Sequence, residues 1–202
     1  MGCAGILLTG GASSRMGVDK ATLVLRPGEP ALARRAATEL LAVAGPVVEV
    51  GPGATGLWRI AERGLHRGPL VALGAAVDAL DAIWGTDGEV TGALVLACDM
   101  PLVDRALLGW LAGYPGNGSV IPVDGEQGRP QPLCARWSIQ ALASVPEMVA
   151  EGERSFRSLL ALPDVTLVPA SEWAQRAGQA GLRALDDVDT PRDVERIARN
   201  DP

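Results

Sequence analysis

A glycine-rich segment near the N-terminus carries residue types suited to binding phosphate groups. The apolar run at residues 4–9 predicts a buried strand that stops at a pair of glycines. Small hydroxyl residues follow, and Arg15 and Lys20 stand at the far end of the segment. Glycine allows several backbone N–H groups to approach one anion, and two cations can hold a polyphosphate. The segment therefore predicts a phosphate-binding loop, with an ordinary glycine-rich turn as the alternative.

This loop matches neither of the common phosphate-binding sequences. A P-loop ends in Gly-Lys-Ser/Thr, but Gly17 is followed by Val18, and the G-x-G-x-x-G dinucleotide fingerprint is absent here. The loop also holds the only lysine of the chain, Lys20, whereas the other seventeen basic residues are arginines. A lysine offers a compact charge on a flexible stem, which suits a group that contacts phosphates.

An aspartate directly follows a second buried run. Residues 92–97 predict a strand, and Asp99 and Pro101 come immediately after it. Ligands of open α/β sheets bind at the carboxyl ends of the strands. Since Mg²⁺ usually takes one or two carboxylates together with phosphate oxygens and water, Asp99 is a candidate magnesium ligand. A residue that merely caps the turn is the alternative. Gly68, before a predicted helix, is a weaker candidate because a plain helix start explains it.

Predicted strands and helices alternate along the chain. This alternation favours an α/β fold, in which a largely parallel sheet is covered by helices on both faces. A loop at residues 114–119 predicts a seam within a single domain of residues 1–202, between a nucleotide-binding half (1–113) and an acceptor-binding half (114–202). The predicted strands are residues 4–9, 46–50, 92–97, 119–123, 131–135 and 165–168. The predicted helices are 30–44, 69–83, 104–111 capped by Asp104, 139–150, 156–162, and a last one opened by Pro191 and capped by Asp189 or Thr190.

Composition excludes several classes of protein. With 202 residues and 48% hydrophobic residues, the chain can build a core and is not intrinsically disordered. Apolar runs stay below the ~18 residues of a membrane helix, and we expect a cytoplasmic protein without a signal peptide. The net charge of −6 argues against nucleic acid and anionic membranes as partners. The three cysteines lack zinc-site spacing, which predicts buried thiols; a nucleophilic Cys98 paired with the single histidine, His66, is the alternative.

Together these segments resemble a known family. Residues 7–20 (LLTGGASSRMGVDK), 67–73 (RGPLVAL) and 97–101 (ACDMP) look like the three signatures of the molybdenum cofactor guanylyltransferases, the MobA family. The resemblance continues at residues 124–126, 131–133, 151–154 and 187–191, so it covers nearly the whole chain in order. The chain has Thr9 where the family commonly has alanine, Gly51 where asparagine often follows the second strand, and aspartates at 187 and 189 in place of two asparagines.

The resemblance implies a three-layer α/β/α Rossmann-like fold with a mostly parallel, mixed sheet, and it implies a reaction. The terminal phosphate of molybdopterin attacks the α-phosphorus of GTP, molybdopterin guanine dinucleotide forms, and pyrophosphate leaves. Mg²⁺, or Mn²⁺ in its place, is the implied cofactor, and molybdenum-insertion proteins and molybdoenzyme chaperones are further implied partners. A phosphate monoester is largely dianionic at pH 7, with a second pKa of ~6, so no catalytic base is required. The alternatives are a cytidylyltransferase or another nucleotidyltransferase of this type, and a non-catalytic nucleotide or pterin carrier.

The resemblance also assigns roles to individual positions. The implied catalytic residues are Arg15, Lys20 and Asp99, of which Asp99 also holds the metal. The implied nucleotide-binding residues are Leu8, Thr9, Gly10, Gly11, Ser13, Arg15, Lys20, Gly51, Glu62, Gly68 and Asp99, although Arg63 is an alternative to Glu62. The implied acceptor-binding residues are Arg129, Gln131, Arg154, Arg157 and Asp187. The alternative for Arg129, Arg154 and Arg157 is that they are solvated surface arginines.

Overall fold

A seven-stranded sheet runs through the computed structural model, which describes residues 2–10, 19–61, 68–80, 90–125, 127–178 and 180–200. The strand order across the sheet is β3-β2-β1-β4-β6-β5-β7. Among these strands only β6 runs against its neighbours, so the sheet is mixed and mostly parallel, as predicted. The strands are β1 (Gly2–Leu8), β2 (Val47–Val50), β3 (Trp58–Ile60), β4 (Val90–Ala97), β5 (Ser119–Pro122), β6 (Cys134–Ser138) and β7 (Val165–Val168).

Helices cover both faces of this sheet and complete the three layers predicted. Successive residues of β1 point to opposite faces: Leu7 packs in the cluster formed with α1 and α3, and Ile6 packs in the cluster formed with α2 and α4. The helices are α1 (Leu32–Leu41), α2 (Pro69–Leu80), α3 (Arg105–Ala112), α4 (Ile139–Ala150), α5 (Arg157–Leu160), α6 (Ala170–Trp173) and α7 (Pro191–Asn200). No helix in the described ranges is long and apolar enough to cross a membrane.

Most predicted elements are confirmed, with differences at their ends. The predicted bounds of α4 and β7 agree with the structure, and the carboxylate of Asp104 caps α3 by accepting a hydrogen bond from the Leu107 amide at 3.0 Å. Pro191 is the first residue of α7, and Thr190 precedes it with its hydroxyl and amide bonded to Asp193. The helix predicted at 69–83 is described to Leu80, and its last residues lie outside the described ranges.

The strand predicted at residues 131–135 is present but is shifted toward the C-terminus, to Cys134–Ser138. Residues 131–133 form a turn, in which the Cys134 amide donates to the Gln131 carbonyl at 3.1 Å, and β6 begins only at Cys134. Pro132 cannot donate to a strand ladder, and its carbonyl accepts from the Trp137 indole at 3.0 Å. The short elements β3 and α6 were not predicted, because three or four residues carry too little periodicity to be recognised.

The loop that joins α3 to β5, where the sequence predicted a seam, is attached to the sheet by Arg136. This side chain is 5% exposed, and its guanidinium donates to four carbonyl oxygens, at 3.2 Å from Ala112, 2.7 Å from Tyr114, 3.0 Å from Gly116 and 2.9 Å from Gly118. Burial lowers the pKa of Arg136, but an arginine remains charged at any relevant pH. A buried cation thus holds the loop through backbone groups alone.

Candidate functional site

The candidate site is built at the carboxyl edge of the sheet, where β1 lies between β2 and β4. The Thr9 amide donates to the Val50 carbonyl at 3.0 Å, and the Cys98 amide donates to the Leu8 carbonyl at 3.1 Å. The ends of three parallel strands are therefore joined, and Gly10 is exposed beside them. Gly11, Ser13 and Arg15, predicted to bind phosphate, lie outside the described residues, as do Glu62 and Arg63.

Lys20 lies between two carboxylates. Its ammonium is 3.2 Å from Oδ2 of Asp99 and 2.5 Å from Oδ1 of Asp189, and its side chain is only 18% exposed. A short 3-10 turn places it there, because the carboxylate of Asp19 caps that turn through the Ala21 amide at 3.0 Å. Burial opposes the charge of Lys20, but the hydrogen bonds and charges of Asp189 and Asp99 outweigh burial and raise its pKa.

A late segment of the chain completes this cluster. The Val188 amide donates to the carbonyl of Asp99 at 2.8 Å, which brings Asp187 and Asp189 to the end of β4. Burial, reinforced by the charges of Asp189 and Asp99, raises the pKa of Asp187. Asp189 was predicted only as a helix cap, and the repeated aspartates before Thr190-Pro191 were the signal that could have marked it as a site residue.

Two carboxylates facing one point form a suitable donor set for a divalent cation that arrives with a nucleotide. Mg²⁺ prefers oxygen ligands and is usually held by one or two carboxylates together with phosphates. The described part of the chain contains no group of three or more histidine, cysteine, aspartate or glutamate residues that could hold a metal. Asp99 and Asp189 fit a metal that is shared with a triphosphate, because two carboxylates leave coordination positions for phosphate oxygens and water.

A polar cavity of about 410 Å³ adjoins the lysine cluster. It brings together three of the predicted acceptor-binding residues, Arg129, Gln131 and Asp187. Asp189 also lines it, so the cavity reaches one of the two carboxylates that contact Lys20. Its other lining residues are Asp124, Gly125, Gln127, Leu182, Leu185, Asp186 and Arg196.

The two remaining arginines predicted for the acceptor lie outside this lining. The carbonyl of Arg154 accepts from the Leu70 amide at 3.3 Å, at the start of α2. Gly68 adopts φ +102°, and a Cβ there would lie 2.5 Å from the Arg154 carbonyl oxygen, so this close approach requires glycine. The Arg154 guanidinium donates to the carbonyls of Val149 and Glu153. Arg157 is exposed at the start of α5.

A buried glutamate lies beneath the loop that follows β2. Glu49 is 0% exposed, and its carboxylate accepts a hydrogen bond from the Thr9 hydroxyl at 2.7 Å and others from the loop at residues 53–55. Burial alone would raise the pKa of Glu49, but the hydrogen bonds from Thr55 and Thr9 outweigh it and lower the pKa. The sequence did not mark this residue as a site candidate, although an acidic residue inside an apolar strand (VVEV) was a visible signal.

The cysteines fit the structural interpretation. All three are free and buried, and burial raises the pKa of Cys98 to about 12. A thiol with that pKa is almost entirely protonated at neutral pH, so it is a poor nucleophile. Its proposed partner, His66, lies outside the described residues.

A mostly parallel α/β sheet with a glycine-rich segment after its first strand and carboxylates at its carboxyl edge defines an α/β nucleotide-binding protein. The profile of the MobA-like NTP transferase domain matches residues 5–177. The chain therefore belongs to the MobA-like NTP transferase family, a family of nucleotidyltransferase enzymes.

Relatives and a solved structure agree with this assignment. A probable molybdenum cofactor guanylyltransferase of Opitutus terrae is 35% identical over 166 residues, which span 78% of this chain and 77% of the relative. A molybdenum cofactor guanylyltransferase of Rhizobium leguminosarum bv. trifolii is 30% identical over 199 residues, 97% of this chain and 91% of the relative. The crystal structure of molybdopterin-guanine dinucleotide biosynthesis protein A from Archaeoglobus fulgidus shares the fold, with a TM-score of 0.75 and 20% identity over 97% of both chains.

Proposed function

We propose that this enzyme transfers GMP from GTP to molybdopterin, forms molybdopterin guanine dinucleotide and releases pyrophosphate. The observation that carries the proposal is the contact of Lys20 with Asp99 and Asp189, beside an open polar cavity. Lys20 is the last residue of the glycine-rich segment at residues 10–20, which we call the phosphate-loop segment. GTP and molybdopterin are proposed as substrates because the relatives in the comparison are named molybdenum cofactor guanylyltransferases.

The reaction requires positioning of the two substrates and neutralisation of phosphate charge more than proton transfer. An acceptor phosphate at neutral pH already carries a nucleophilic oxygen, so no side chain has to remove a proton from it. Gly10 and the amides that follow it would hold the triphosphate, and Lys20 with Arg15 would offset charge on the departing pyrophosphate. Leu8 and Thr9 would contact the base through backbone atoms, and Gly51 and Glu62 would lie on its other sides. Gly68 would let the start of α2 approach the nucleotide closely.

Asp99 and Asp189 would hold Mg²⁺, or Mn²⁺, against the phosphate oxygens. When bound, the cation would supply charge neutralisation at the reacting phosphoryl group. Before the nucleotide binds, the ammonium of Lys20 satisfies both carboxylates. A bound triphosphate offers Lys20 new anionic partners and leaves the carboxylate oxygens free to ligate the cation. The ammonium of Lys20 therefore offsets part of the negative charge of the two carboxylates when no cation is bound.

The cavity next to this cluster would receive the acceptor. Its lining comes from residues 124–131 and 182–196, which supports an acceptor-binding half at 114–202 and a nucleotide-binding half at 1–113 to which the later half adds Asp189. Arg129 would pair with the acceptor phosphate, and Gln131 and Asp187 offer hydrogen-bonding groups to the pterin. Arg154 and Arg157 lie outside the cavity lining and would contact the acceptor only from the edge of the site, near the start of α2. A cytoplasmic location, and encounters with molybdenum-insertion proteins and molybdoenzyme chaperones, complete the proposal.

The test is pyrophosphate release with molybdopterin as acceptor and GTP, CTP, ATP or UTP as donor, each with Mg²⁺. We expect release with GTP, and a larger rise in melting temperature with GTP than with CTP, because a ligand that binds only the native state stabilises it. A preference for CTP would replace the proposal by a cytidylyltransferase. Binding of nucleotide with no pyrophosphate release from any pair would indicate a carrier instead.

Asp99→Asn is the matched variant for this assay. The amide keeps the shape of the side chain but removes the charge that would hold the cation. We expect most of the Mg²⁺-dependent turnover to be lost while the circular dichroism spectrum is unchanged. Near-normal turnover in Asp99→Asn would remove this residue from the proposed metal site.

A further inference from the structure

Glu49 is a fully buried carboxylate whose hydrogen-bond donors in the described structure are all uncharged. Oε1 accepts from the Thr9 hydroxyl at 2.7 Å and from the amides of Gly53 and Ala54 at 3.1 and 2.7 Å. Oε2 accepts from the amide and the hydroxyl of Thr55 at 3.0 and 2.5 Å. Burying an ion is costly unless its acceptor positions are filled, so this set of five donors specifies one geometry for the carboxylate.

The groups held by Glu49 belong to two separate segments. Thr9 continues β1 into the phosphate-loop segment, whereas residues 53–55 belong to the loop after β2. Further contacts stiffen that loop: the Leu57 amide donates to the Thr55 hydroxyl at 3.1 Å, and the Arg59 side chain donates to the Gly51 carbonyl at 3.0 Å. One carboxylate thus joins the first turn of the phosphate-loop segment to the loop beside it.

The two segments touch at Gly51. This glycine has φ +148°, and a Cβ placed on it would lie 2.3 Å from the Thr9 hydroxyl and 2.7 Å from the Gly10 nitrogen. The loop after β2 therefore lies directly against Gly10, the first exposed residue of the phosphate-loop segment (residues 10–20). A change in the position of this loop would be transmitted to Gly10 through atomic contact.

We infer that Glu49 is a positioning residue for the nucleotide: through the Thr9 hydroxyl and the amides at 53–55, it fixes the loop at residues 51–55, the wall of the proposed nucleoside pocket, against Gly10. The inference rests on the proposed function, since it assumes that a nucleotide binds at Gly10. Because hydrogen bonds outweigh burial and lower the pKa of Glu49, the carboxylate stays ionised and accepts all five bonds at neutral pH.

A positioning role and a purely structural role predict different kinetics. The Glu49 network lies on the β2 side of β1, whereas Lys20 contacts Asp99 at the end of β4, on the other side. A misplaced nucleoside wall should weaken nucleotide binding and leave the catalytic cluster intact. A purely structural role would lower the melting temperature without changing the KM of the folded protein.

The test compares Thr9→Val, Thr9→Ser and Glu49→Gln with the parent protein, and Thr38→Val serves as the control. Valine has the shape of threonine but cannot donate, serine keeps the hydroxyl, and Thr38 is an exposed residue of α1. We measure KM and kcat for GTP in the pyrophosphate-release assay, Kd by GTP titration, and the melting temperature of each protein.

We expect Thr9→Val to raise KM and Kd for GTP about tenfold, because the loop at 51–55 is no longer held in one position against Gly10, while kcat stays within about twofold. Thr9→Ser should restore parent values, and Glu49→Gln should raise KM and Kd at least as much, since its NH₂ group faces donors. If Glu49→Gln does not fold, the threonine pair decides the outcome.

Two results would overturn the inference, and they have different meanings. Unchanged KM and Kd in Thr9→Val, with a lower melting temperature, would show that the network is only structural and would leave the proposed function standing. Failure of the parent protein to bind GTP, CTP, ATP or UTP with Mg²⁺ would overturn the proposed function, and the positioning role with it.

Discussion

At the scale of single residues, the one lysine of this chain occupies a position for which an arginine, the type of the other seventeen basic residues, would have an unsuitable shape. The ammonium of Lys20 contacts carboxylates from two distant parts of the chain, at 3.2 and 2.5 Å. These contacts leave the Lys20 side chain only 18% exposed. A small, nearly spherical charge suits such a position, whereas a planar guanidinium needs its acceptors in one plane.

Lys20→Arg is therefore expected to be damaging although it conserves charge. The longer side chain must displace Asp99, Asp189 or the bound phosphate, and a displacement of ~1 Å can lower the rate about 100-fold. We expect a fall of that order in kcat for pyrophosphate release, measured on the folded variant. The reverse exchange at an exposed site of α1, Arg34→Lys, is the control. A variant that keeps more than about a third of the parent rate would show that less than ~1 kcal/mol of barrier depends on the lysine.

At the scale of elements, binding chemistry and stability are located at opposite edges of the sheet. Lys20 and its carboxylates lie where β4 ends, whereas the loop held by Arg136 lies where β5 begins. Since β4 and β5 run in the same direction, these two places are at the carboxyl and amino edges respectively. Residues near the amino edge should therefore affect folding more than catalysis.

Arg136→Met tests this separation. Methionine preserves apolar packing but removes the donors to four carbonyls, and hydrogen bonds to charged groups typically contribute about 1.5–3 kcal/mol. We expect a loss of about 2–3 kcal/mol, which for a chain of this size lowers the melting temperature by roughly 5–10 °C. The KM and kcat of the folded variant should match the parent. Arg34→Met, an exposed arginine of α1, is the control; an equal drop in both variants would contradict the anchoring role of Arg136.

At the scale of the whole molecule, the site joins segments that are far apart in sequence. Asp99 lies 79 positions after Lys20 in the sequence, and Asp189 lies 169 positions after it. The Val188 amide joins the segment of Asp189 to the end of β4 by donating to the Asp99 carbonyl. The residues matched by the family profile end at 177, so Asp187 and Asp189 lie beyond the matched range and still contact the site. The C-terminal segment thus contributes to the site as well as to packing.

Hydrogen exchange can test whether these segments respond together. We expect GTP with Mg²⁺ to slow amide exchange at residues 19–23, 98–103 and 186–190 in parallel, because a ligand shared by all three segments suppresses their local opening. The loop at residues 113–118, at the other edge of the sheet, should exchange as in the free protein. Protection confined to 98–103 would show that the C-terminal segment does not take part in binding.

The local sequence determined the main elements and the class of chemistry. Buried strands and amphipathic helices follow from side-chain periodicity, which acts over a few residues, so α4, β7 and the Asp104 cap could be predicted. The position of Asp99 directly after a buried strand likewise placed it at the ligand-binding edge. Family resemblance added the reaction, since its motifs span nearly the whole chain.

Tertiary structure decided which of these residues meet. No local pattern shows that Asp189 contacts Lys20, because 169 positions separate them and only the packing of the last segment against β4 brings them together. The same holds for Glu49 and Arg136, whose charges are buried against loop backbone that the strand pattern does not specify. The tertiary structure also distinguishes two arginines that look alike in sequence. Arg129 lines the polar cavity, whereas Arg154 lies beside the start of α2. Periodicity is a property of neighbouring residues, whereas a site depends on contacts between distant ones, and those arise only when the chain folds.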